Sequence, residues 1–494
     1  MKKNIVTKAA TIATALLMTV SFLSGCTGTG TTSEVNTDPN VKPTEITMMI
    51  DTCMTPENGL QQVADKYKEN TGITLKLEKP DHNQYYEKVG LAFAGGTAPN
   101  VLELGSIQYP TFASQGALWN MADAYASSDA PVKSIIDEAY VDSLRIPGMD
   151  GTEGLYGFPL AKGGGTVTYV RQDWLDKLGL SAPTNYNEFL DMLRAFKTLD
   201  GRSDIIPITA AGLINGESPY EIYLREFYQD AKPYIYKDEA TGKYVDGMSE
   251  APMKEALQRM QDAYKEGLID PEIVTNKTST CRDKFYADLV GCFNYWAGSW
   301  AKTLDENLVT TVPDAKITAL PAIAESWYIE RPSTSISITS EQYTSNPIGI
   351  YKYFIEYMHD GGEGQMLFTR GVENVHWKKN DDGTTIALPY LETPDKDVEK
   401  SYMAPELSCT KFDDPIALDE RVTSSLETFY NNRKLVPYPP VNDTINVENA
   451  ELDTIRKEVI SKVVLGQLSA EEGIKEYETR ANSQISAILT SLNG

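Results

Sequence analysis

The chain has 494 residues, 41% of them hydrophobic and 23% charged, and carries a net charge of −25 at pH 7. That length exceeds one ordinary hydrophobic core, so two or three lobes are expected. So acidic a surface argues against nucleic acid as a partner and is repelled by anionic lipid faces.

The first element is an export signal. Lys2, Lys3 and Lys8 precede an apolar run, Ala9 to Leu23, that is too short for a comfortable membrane span but suits a signal-peptide core. Leu23-Ser24-Gly25-Cys26 then looks like a bacterial lipobox, in which cleavage leaves a lipid-bearing Cys26 at the new N-terminus. Loss of residues 1–25 leaves 469 residues, and loss of the three lysines takes the net charge to −28. Residues 26–43, the lipidated Cys26 followed by "TGTGTTSEVNTDPNVKP", read as a flexible tether with too little apolar content to fold. Its r.m.s. reach is roughly 20–25 Å. No other run is long and apolar enough to cross a bilayer.

The folded part opens with "TEITMMID", where Ile46, Met48 and Ile50 alternate onto one side of a strand. A helix follows with Thr55 as N-cap, Pro56 at its first position, an apolar face of Leu60, Val63, Ala64 and Tyr67, and Gly72 as its end. "ITLKLEKP" is the next strand, which makes a βαβ unit with parallel pairing. The pattern repeats with the helix "QYYEKVGLAFAGG", the buried strand "APNVLELG" and the short helix in "FASQGALWNMADAY". Beyond a triple glycine, Val167 to Val170 form a strand, and "APTNYNEFLDMLRAFKTL" is a helix capped by Thr184 with Phe189, Leu193 and Phe196 inward. "KDEATGKYVDG" and "KKNDDGTT" read as hairpin turns. "NPIGIYKYFIEYM" and the last forty residues are helical, with Ser469 and Glu472 as a capping box. There is no solenoid repeat.

Apart from Cys26, the cysteines are Cys53, Cys281, Cys292 and Cys409, too scattered for a disulfide framework or a metal site. A single Cys281–Cys292 bridge is left open. Three histidines, His82, His359 and His376, do not make a zinc site.

The stretches "AFAGGTAPNVLEL", "GLYGFPLAKGGGTVTYVRQDWLDKLGL", "APTNYNEFLDMLRAFK", "GVENVHWKKNDDG" and "VVLGQLSAEEGIKEY" resemble, in order and spacing, the family-1 extracellular solute-binding proteins. These are carbohydrate-type receptors of ABC importers. Arg171-Gln-Asp-Trp174 and Gly371 to Trp377 look like the long lipoprotein branch, which includes binders of oligosaccharides such as alginate and aldouronate fragments. The resemblance spans Thr44 to Leu492. It implies an α/β fold of the two-lobed, periplasmic-binding-protein-like type II class, with a hinge and an interlobe ligand cleft. On that reading 44–160 with 313–372 form the N-terminal lobe and 161–312 with 373–494 the C-terminal lobe. Crossings are expected near Phe158–Gly164, Thr310–Ile317 and Arg370–Trp377. Some long-branch members carry a calcium loop after the "FLDMLRAFK"-type helix. Here only Asp200 and Asp204 remain, too few oxygens for calcium, so neither metal nor cofactor is expected.

A sugar cleft needs flat aromatics for C–H faces and polar groups for hydroxyls. Aromatics are 10% of the chain, 28 of them tyrosines. "NYWAGSW" supplies Tyr295, Trp296 and Trp300, and "AESWYIERPS" supplies Trp327. "GVENVHW" offers Glu373, His376 and Trp377, and "DHNQYYEK" offers Asn83, Gln84 and Tyr85. Gln108 and Tyr109 follow a strand end, where open α/β sheets bind ligands, and Lys162 sits at the first crossing. For Trp296 and Trp300 a place in the core is the competing reading, for Trp327 the capping of the other lobe, for His376 a structural role at the crossing, and for Asn83, Gln84 and Tyr85 a solvated helix cap.

An enzyme is the rival class, since a glycosidase needs only two carboxylates about 5 to 9.5 Å apart. No Gly-x-Ser-x-Gly, His-Glu-x-x-His or phosphate-loop motif is present, and "AGGTAPN" and "KGGGTV" read as turns. An adhesion module does not suit the βαβ pattern. The expectation is a monomeric, non-enzymatic receptor, lipid-anchored through Cys26 at the extracytoplasmic face of a bacterial membrane. It would capture an oligosaccharide by lobe closure and deliver it to ABC permease subunits. The net charge favours a neutral sugar over a polyuronate unless the cleft is locally basic.

Overall fold

The computed structural model describes residues 35–51, 59–81, 84–160, 163–211, 213, 219–388 and 418–494. Cys26 and the tether to Glu34 lie outside the described residues, as do Cys53, Thr55, Pro56, His82, Asn83, Lys162 and Cys409. The tether, expected to run free to Pro43, is tied down from Asn36. The Asn36 amide donates to Ser345 O at 2.8 Å, and Lys352 Nζ donates to Asn40 Oδ1 at 2.8 Å. Polar side chains, invisible to an argument from apolar content, anchor this stretch.

The first sheet has five strands in the order 74–78, 45–49, 101–104, 335–338, 158–159. Glu45–Met49 pairs in parallel with Thr74–Glu78 and Val101–Leu104, as two βαβ units require. Ser335–Ile338 lies antiparallel between Val101–Leu104 and Phe158–Pro159. All four residues of Val101–Leu104 are buried, as befits a central strand, and the one charged member, Glu103, accepts the Asp51 amide at 2.9 Å. The Leu60–Thr71 helix buries Val63, Ala64 and Tyr67 and ends at Gly72, whose φ of 74° suits glycine. Tyr67 meets Phe354, Tyr357 and Phe368 edge-on at 5.8, 5.4 and 5.9 Å. Each such pair contributes roughly 0.5–1.5 kcal/mol beyond burial.

The second sheet has four strands in the order 317–319, 166–171, 290–296, 206–210. Thr166–Arg171 is antiparallel to both neighbours, whereas Val290–Trp296 and Ile206–Ala210 are parallel. Against it the Tyr186–Lys197 helix buries Phe189, Met192, Leu193 and Phe196. Its N-cap is Asn185, one residue after the expected Thr184; Thr184 instead donates its hydroxyl to Glu188 Oε2 at 2.8 Å. The Asp443–Val464 and Ala470–Asn493 helices add to this core, the latter opened by the Ser469/Glu472 capping box. Both acidic turns are hairpins, Ile235–Lys237 with Tyr244–Asp246 and Trp377–Lys379 with Thr385–Ala387.

The chain leaves the first sheet at Pro159 and joins the second at Thr166. It returns between Ala319 and Ser335, later than the expected 310–317, because Ile317–Ala319 is an edge strand of the second sheet. Arg370–Trp377 is not a crossing either. Leu367, Phe368 and Val372 pack in the first core, and His376 lies against Gly59. Leu388 donates its amide to His376 O, and the Glu420–Asn431 helix packs on the second core. A short parallel pair, Tyr328–Glu330 with Arg433–Leu435, lies at the crossings and is fixed by Arg433 Nε donating to Glu330 Oε2 at 2.9 Å. Gly163 and Gly165 let the segments run main chain to main chain. A Cβ at Gly163 would lie 1.8 Å from Arg331 O, and one at Gly165 would lie 2.0 Å from Ile329 O.

Candidate functional site

Each sheet presents one working edge. In the first, the strands 101–104 and 158–159 end where 335–338 begins, with Ser335 opposite Leu104 and Pro159. In the second, 206–210, 290–296 and 317–319 end where 166–171 begins, with Trp296 opposite Thr166. The crossing segments connect these two edges. Strand C-terminal ends are where open α/β sheets take ligands, and a ligand must touch both lobes to favour closure.

The second edge is aromatic and cationic. Phe293 and Tyr295, two apart on one face of the strand, stack at 4.9 Å. Gly298, with φ of 87°, turns the chain into the Ser299–Leu308 helix and sets Trp300 edge-on to Tyr295 at 4.8 Å. Arg282 Nη1 donates to Tyr295 Oη at 2.6 Å, and its guanidinium lies 5.0 Å from the Trp300 ring centre. Trp296 is half-buried, with the Arg331 guanidinium 4.7 Å from its ring centre. Neither the Trp296 nor the Trp300 indole N–H has an acceptor among the described residues. Tyr223 is buried beside them. Burial, then the charge of Glu221, pushes its hydroxyl pKa up, and Arg331 acts against that shift.

The other candidates fall elsewhere. Tyr85 is fully buried, its hydroxyl 2.9 Å from both Met49 O and Glu103 O, so it braces the first sheet from inside. Tyr109 is also fully buried, packed tilted against Tyr438 at 5.4 Å; burial pushes its hydroxyl pKa up. Trp377 is 6% exposed and donates its indole N–H to Gly371 O at 3.1 Å. His376 is buried and accepts the Val372 amide at Nδ1, which identifies it as a structural histidine of the 371–377 turn. Trp327 is partly buried against the second core, with Arg225 and Lys434 over its ring at 4.5 and 5.0 Å. Tyr85, Tyr109 and Trp377 are thus buried, and Trp327 packs against the second core. Gln84 and Glu373 are exposed, and Gln108 is half-buried just past the Val101–Leu104 strand. Of the candidates, then, the structure brings together Tyr295, Trp296 and Trp300 at one edge and leaves Gln108 at the other.

Sequence reasoning passed over Arg282, Arg331, Tyr223 and the buried Glu103. Glu103 accepts the Asp51 amide at 2.9 Å at the first edge. Arg331 lies inside the quoted "AESWYIERPS", and the proline after it signals a crossing; Arg282 carries no local mark.

Asp200 pairs with Lys177, and Asp204 pairs with Arg202 at 3.0 Å; Arg202 also reaches Asp288 at 2.8 Å. Among the described residues no group of three or more His, Cys, Asp and Glu is placed to hold a metal ion. Cys281 and Cys292 are free, buried thiols whose pKa values burial pushes up, which resolves the open question of a bridge.

A sequence profile described as bacterial extracellular solute-binding protein matches residues 54–340. The polygalacturonan/rhamnogalacturonan-binding protein YtcQ of Bacillus subtilis (strain 168) is 20% identical over 413 residues, 79% of each chain. An extracellular solute-binding protein from Bifidobacterium longum subsp. infantis superposes with a TM-score of 0.68 at 14% identity, covering 92% of this chain and 98% of its own. The N-glycan transport solute-binding protein NgtS from Streptococcus pneumoniae does so with a TM-score of 0.63 at 16% identity, covering 92% and 98%. The structural likenesses show the shared α/β, two-lobed fold.

Proposed function

The chain belongs to the bacterial extracellular solute-binding protein family, and from that premise we propose that it is the carbohydrate receptor of an ABC importer. It captures an oligosaccharide between its lobes, closes, and hands the sugar to the permease. The observation that carries this is the second edge. Trp296 and Trp300 offer partly exposed ring faces beside Tyr295 at the strand ends, next to the crossing segments. Flat rings suit the C–H faces of pyranoses, and indole N–H groups without protein acceptors suit their hydroxyls. The names of YtcQ and NgtS, which specify polygalacturonan/rhamnogalacturonan and N-glycan, support a sugar cargo.

The site consists of the half-buried Trp296 and Trp300 on the second lobe, backed by the buried Tyr295, and Gln108 on the first, with Gln84 and Glu373 at the periphery. Asn83 and Lys162 complete it by their places in sequence. The first lobe comprises 44–160 with 335–388, and the second 163–319 with 418–494. The Leu-Ser-Gly-Cys signal puts a lipid on Cys26 and the receptor, a monomer, on the outer face of the membrane. No helix of the described residues is long and apolar enough to cross a membrane.

The test takes soluble protein without Cys26 through a glycan panel by thermal shift, then assays each hit for bond cleavage. Ligand at about a hundredfold over its dissociation constant adds roughly 2.7 kcal/mol of stability. A hit recovered intact is the expected result; a hit that is cleaved would make the protein a glycoside hydrolase.

A further inference from the structure

The chain has thirteen arginines and 70 acidic residues to pair them with. Nine of the arginines hold ion pairs with Asp or Glu: 145, 171, 194, 202, 259, 421, 433, 456 and 480. Arg225 is fully buried and bonds main-chain carbonyls of Trp327 and Gln229, and Arg370 is buried with its guanidinium 5.9 Å from the Trp377 ring centre. Arg282 and Arg331 are different. Both are half-buried, neither has a carboxylate partner among the described residues, and both lie over aromatic rings of the same sheet edge.

We infer that Arg282 and Arg331 read an oxyanion on the captured sugar, so that the cargo is an acidic oligosaccharide; this rests on the sugar-receptor reading of the site. A guanidinium has five N–H donors in a planar fork suited to a carboxylate or sulfate. Stacking on a ring occupies one face of that plane and leaves the donor edge free. Arg282 uses one donor, on Tyr295 Oη at 2.6 Å, and the Arg331 side chain makes no hydrogen bond among the described residues. Trp296 and Trp300 hold the two forks in place, so little side-chain freedom is lost when an anion arrives.

Position strengthens the argument. The Arg331 amide donates to Gly164 O at 3.1 Å, so its side chain is carried on the crossing itself. Arg282 comes from the Thr278–Tyr286 helix of the second lobe. Glu221, whose charge reaches Tyr223 and Tyr295, adds negative charge beside them. The net charge of −25 therefore does not describe this edge, where two guanidinium groups stand beside the rings. Ordering of the ring planes and forks also sets the geometry, with the sugar face on indole and its anionic substituent at the guanidinium edge.

The experiment measures affinity by calorimetry for short oligomers of galacturonate, mannuronate and glucuronate, for their carboxyl-reduced neutral counterparts, and for O-sulfated neutral oligomers. Wild type is expected to bind an acidic member at least tenfold tighter than its neutral match. R282Q and R331Q should each lose roughly 10- to 100-fold for the acidic ligand and less than threefold for the neutral one. R331K, which keeps the charge without the fork or the flat stack, should recover only part of the loss, and melting curves check that each variant is folded. Preference for uronates over sulfated oligomers identifies carboxylate as the oxyanion, and the reverse identifies sulfate; both support the proposal. Binding of neutral sugars with no acidic preference overturns it while leaving the receptor reading intact. Silence across the panel and across a broad glycan array overturns the receptor reading and the proposal together.

Discussion

The two sheet edges that face the crossing are built on opposite principles. At the first, polar atoms are satisfied from within the protein. The Tyr85 hydroxyl serves Met49 and Glu103 carbonyls, Gly105 donates to Tyr86 Oη at 3.0 Å, and Glu103 accepts the Asp51 amide. At the second, the Trp296 and Trp300 indole donors and the Arg331 fork have no acceptor among the described residues, and Arg282 spends one donor on Tyr295 Oη. A group already bonded inside the protein gains little from a ligand, whereas one that is held but unsatisfied gains the full interaction. The first edge is thus a rigid wall and the second the reader.

The largest effect expected is on the wall. His359 is buried behind Phe158, the strand residue next to the crossing, at 4.5 Å between ring centres. Its Nδ1–H donates to Ile355 O at 2.7 Å and its Nε2 has no partner. Burial lowers its pKa to about 4 from 6.5, with the Ile355 carbonyl and Asp360 acting weakly the other way. The unfolded chain therefore binds the extra proton between those values. Stability from this group is complete above about pH 6.5 and falls by about 3 kcal/mol as pH drops to 4. Urea midpoints measured across that range should show the loss, and H359F should flatten it. An acid limb that survives in H359F would place the titration elsewhere.

Next in size is the reader. Trp296→Ala removes a half-buried ring and should weaken oligosaccharide binding by about 2 kcal/mol, some 30-fold. Its melting midpoint should move less than that of Y85F. Trp377→Ala is the contrast, since its indole N–H is bound to Gly371 O and its ring is buried. That variant should lose stability and keep affinity once refolded. Equal affinity losses in both would erase the distinction between wall and reader.

How much of this was legible in the sequence follows from what periodicity encodes. Alternation and caps located Glu45–Met49, the Tyr186–Lys197 helix to within one cap residue, the Ser469 capping box and both hairpins. These are local rules, and local residues obey them. The crossings were harder. Ile317–Ala319 has three residues, and only long-range pairing with Thr166–Arg171 shows which sheet owns it. Aromatic motifs gave positions but not sides. Tyr295 and Trp296 are adjacent in sequence, while Tyr85 and Tyr109 sit in equally plausible strings yet point into the core. What separates them is which acceptors lie nearby, and those come from residues 18 to 36 positions away. Arg282 and Arg331 were missed for the same reason, because an arginine without an acidic partner is visible only when every neighbour is in place.

A smaller effect tests the wall by a single atom. Y85F keeps the ring and removes the hydroxyl that reaches Met49 O and Glu103 O. Two buried carbonyls then share one fewer donor, which should cost about 1–2 kcal/mol in a denaturant titration. Ligand affinity should stay within twofold. A tenfold affinity loss at unchanged stability would instead make the first edge a second reader.

The smallest effect belongs to a region at neither edge, and it calibrates the other three. Lys177 and Asp200 form an ion pair in which both side chains are about half exposed, at 54% and 51%. Such pairs contribute at most about 0.5 kcal/mol, so Asp200→Asn should leave the denaturation midpoint nearly in place and ligand affinity unchanged. The same loop bears on metal binding. Asp204 is held by Arg202, and Asp288 by Arg171 and Arg202, so the carboxylates that a divalent cation would need already face fixed positive charge. Calcium added to chelator-stripped protein should therefore move the melting midpoint by no more than about 1 °C, on a scale where 1 kcal/mol shifts a large domain by a few degrees. A large, saturable rise abolished by Asp200→Asn would show the cation displacing Lys177. This loop would then be a third element controlling the lobes, and the contrast between a closed wall and an open reader would no longer account for ligand affinity alone.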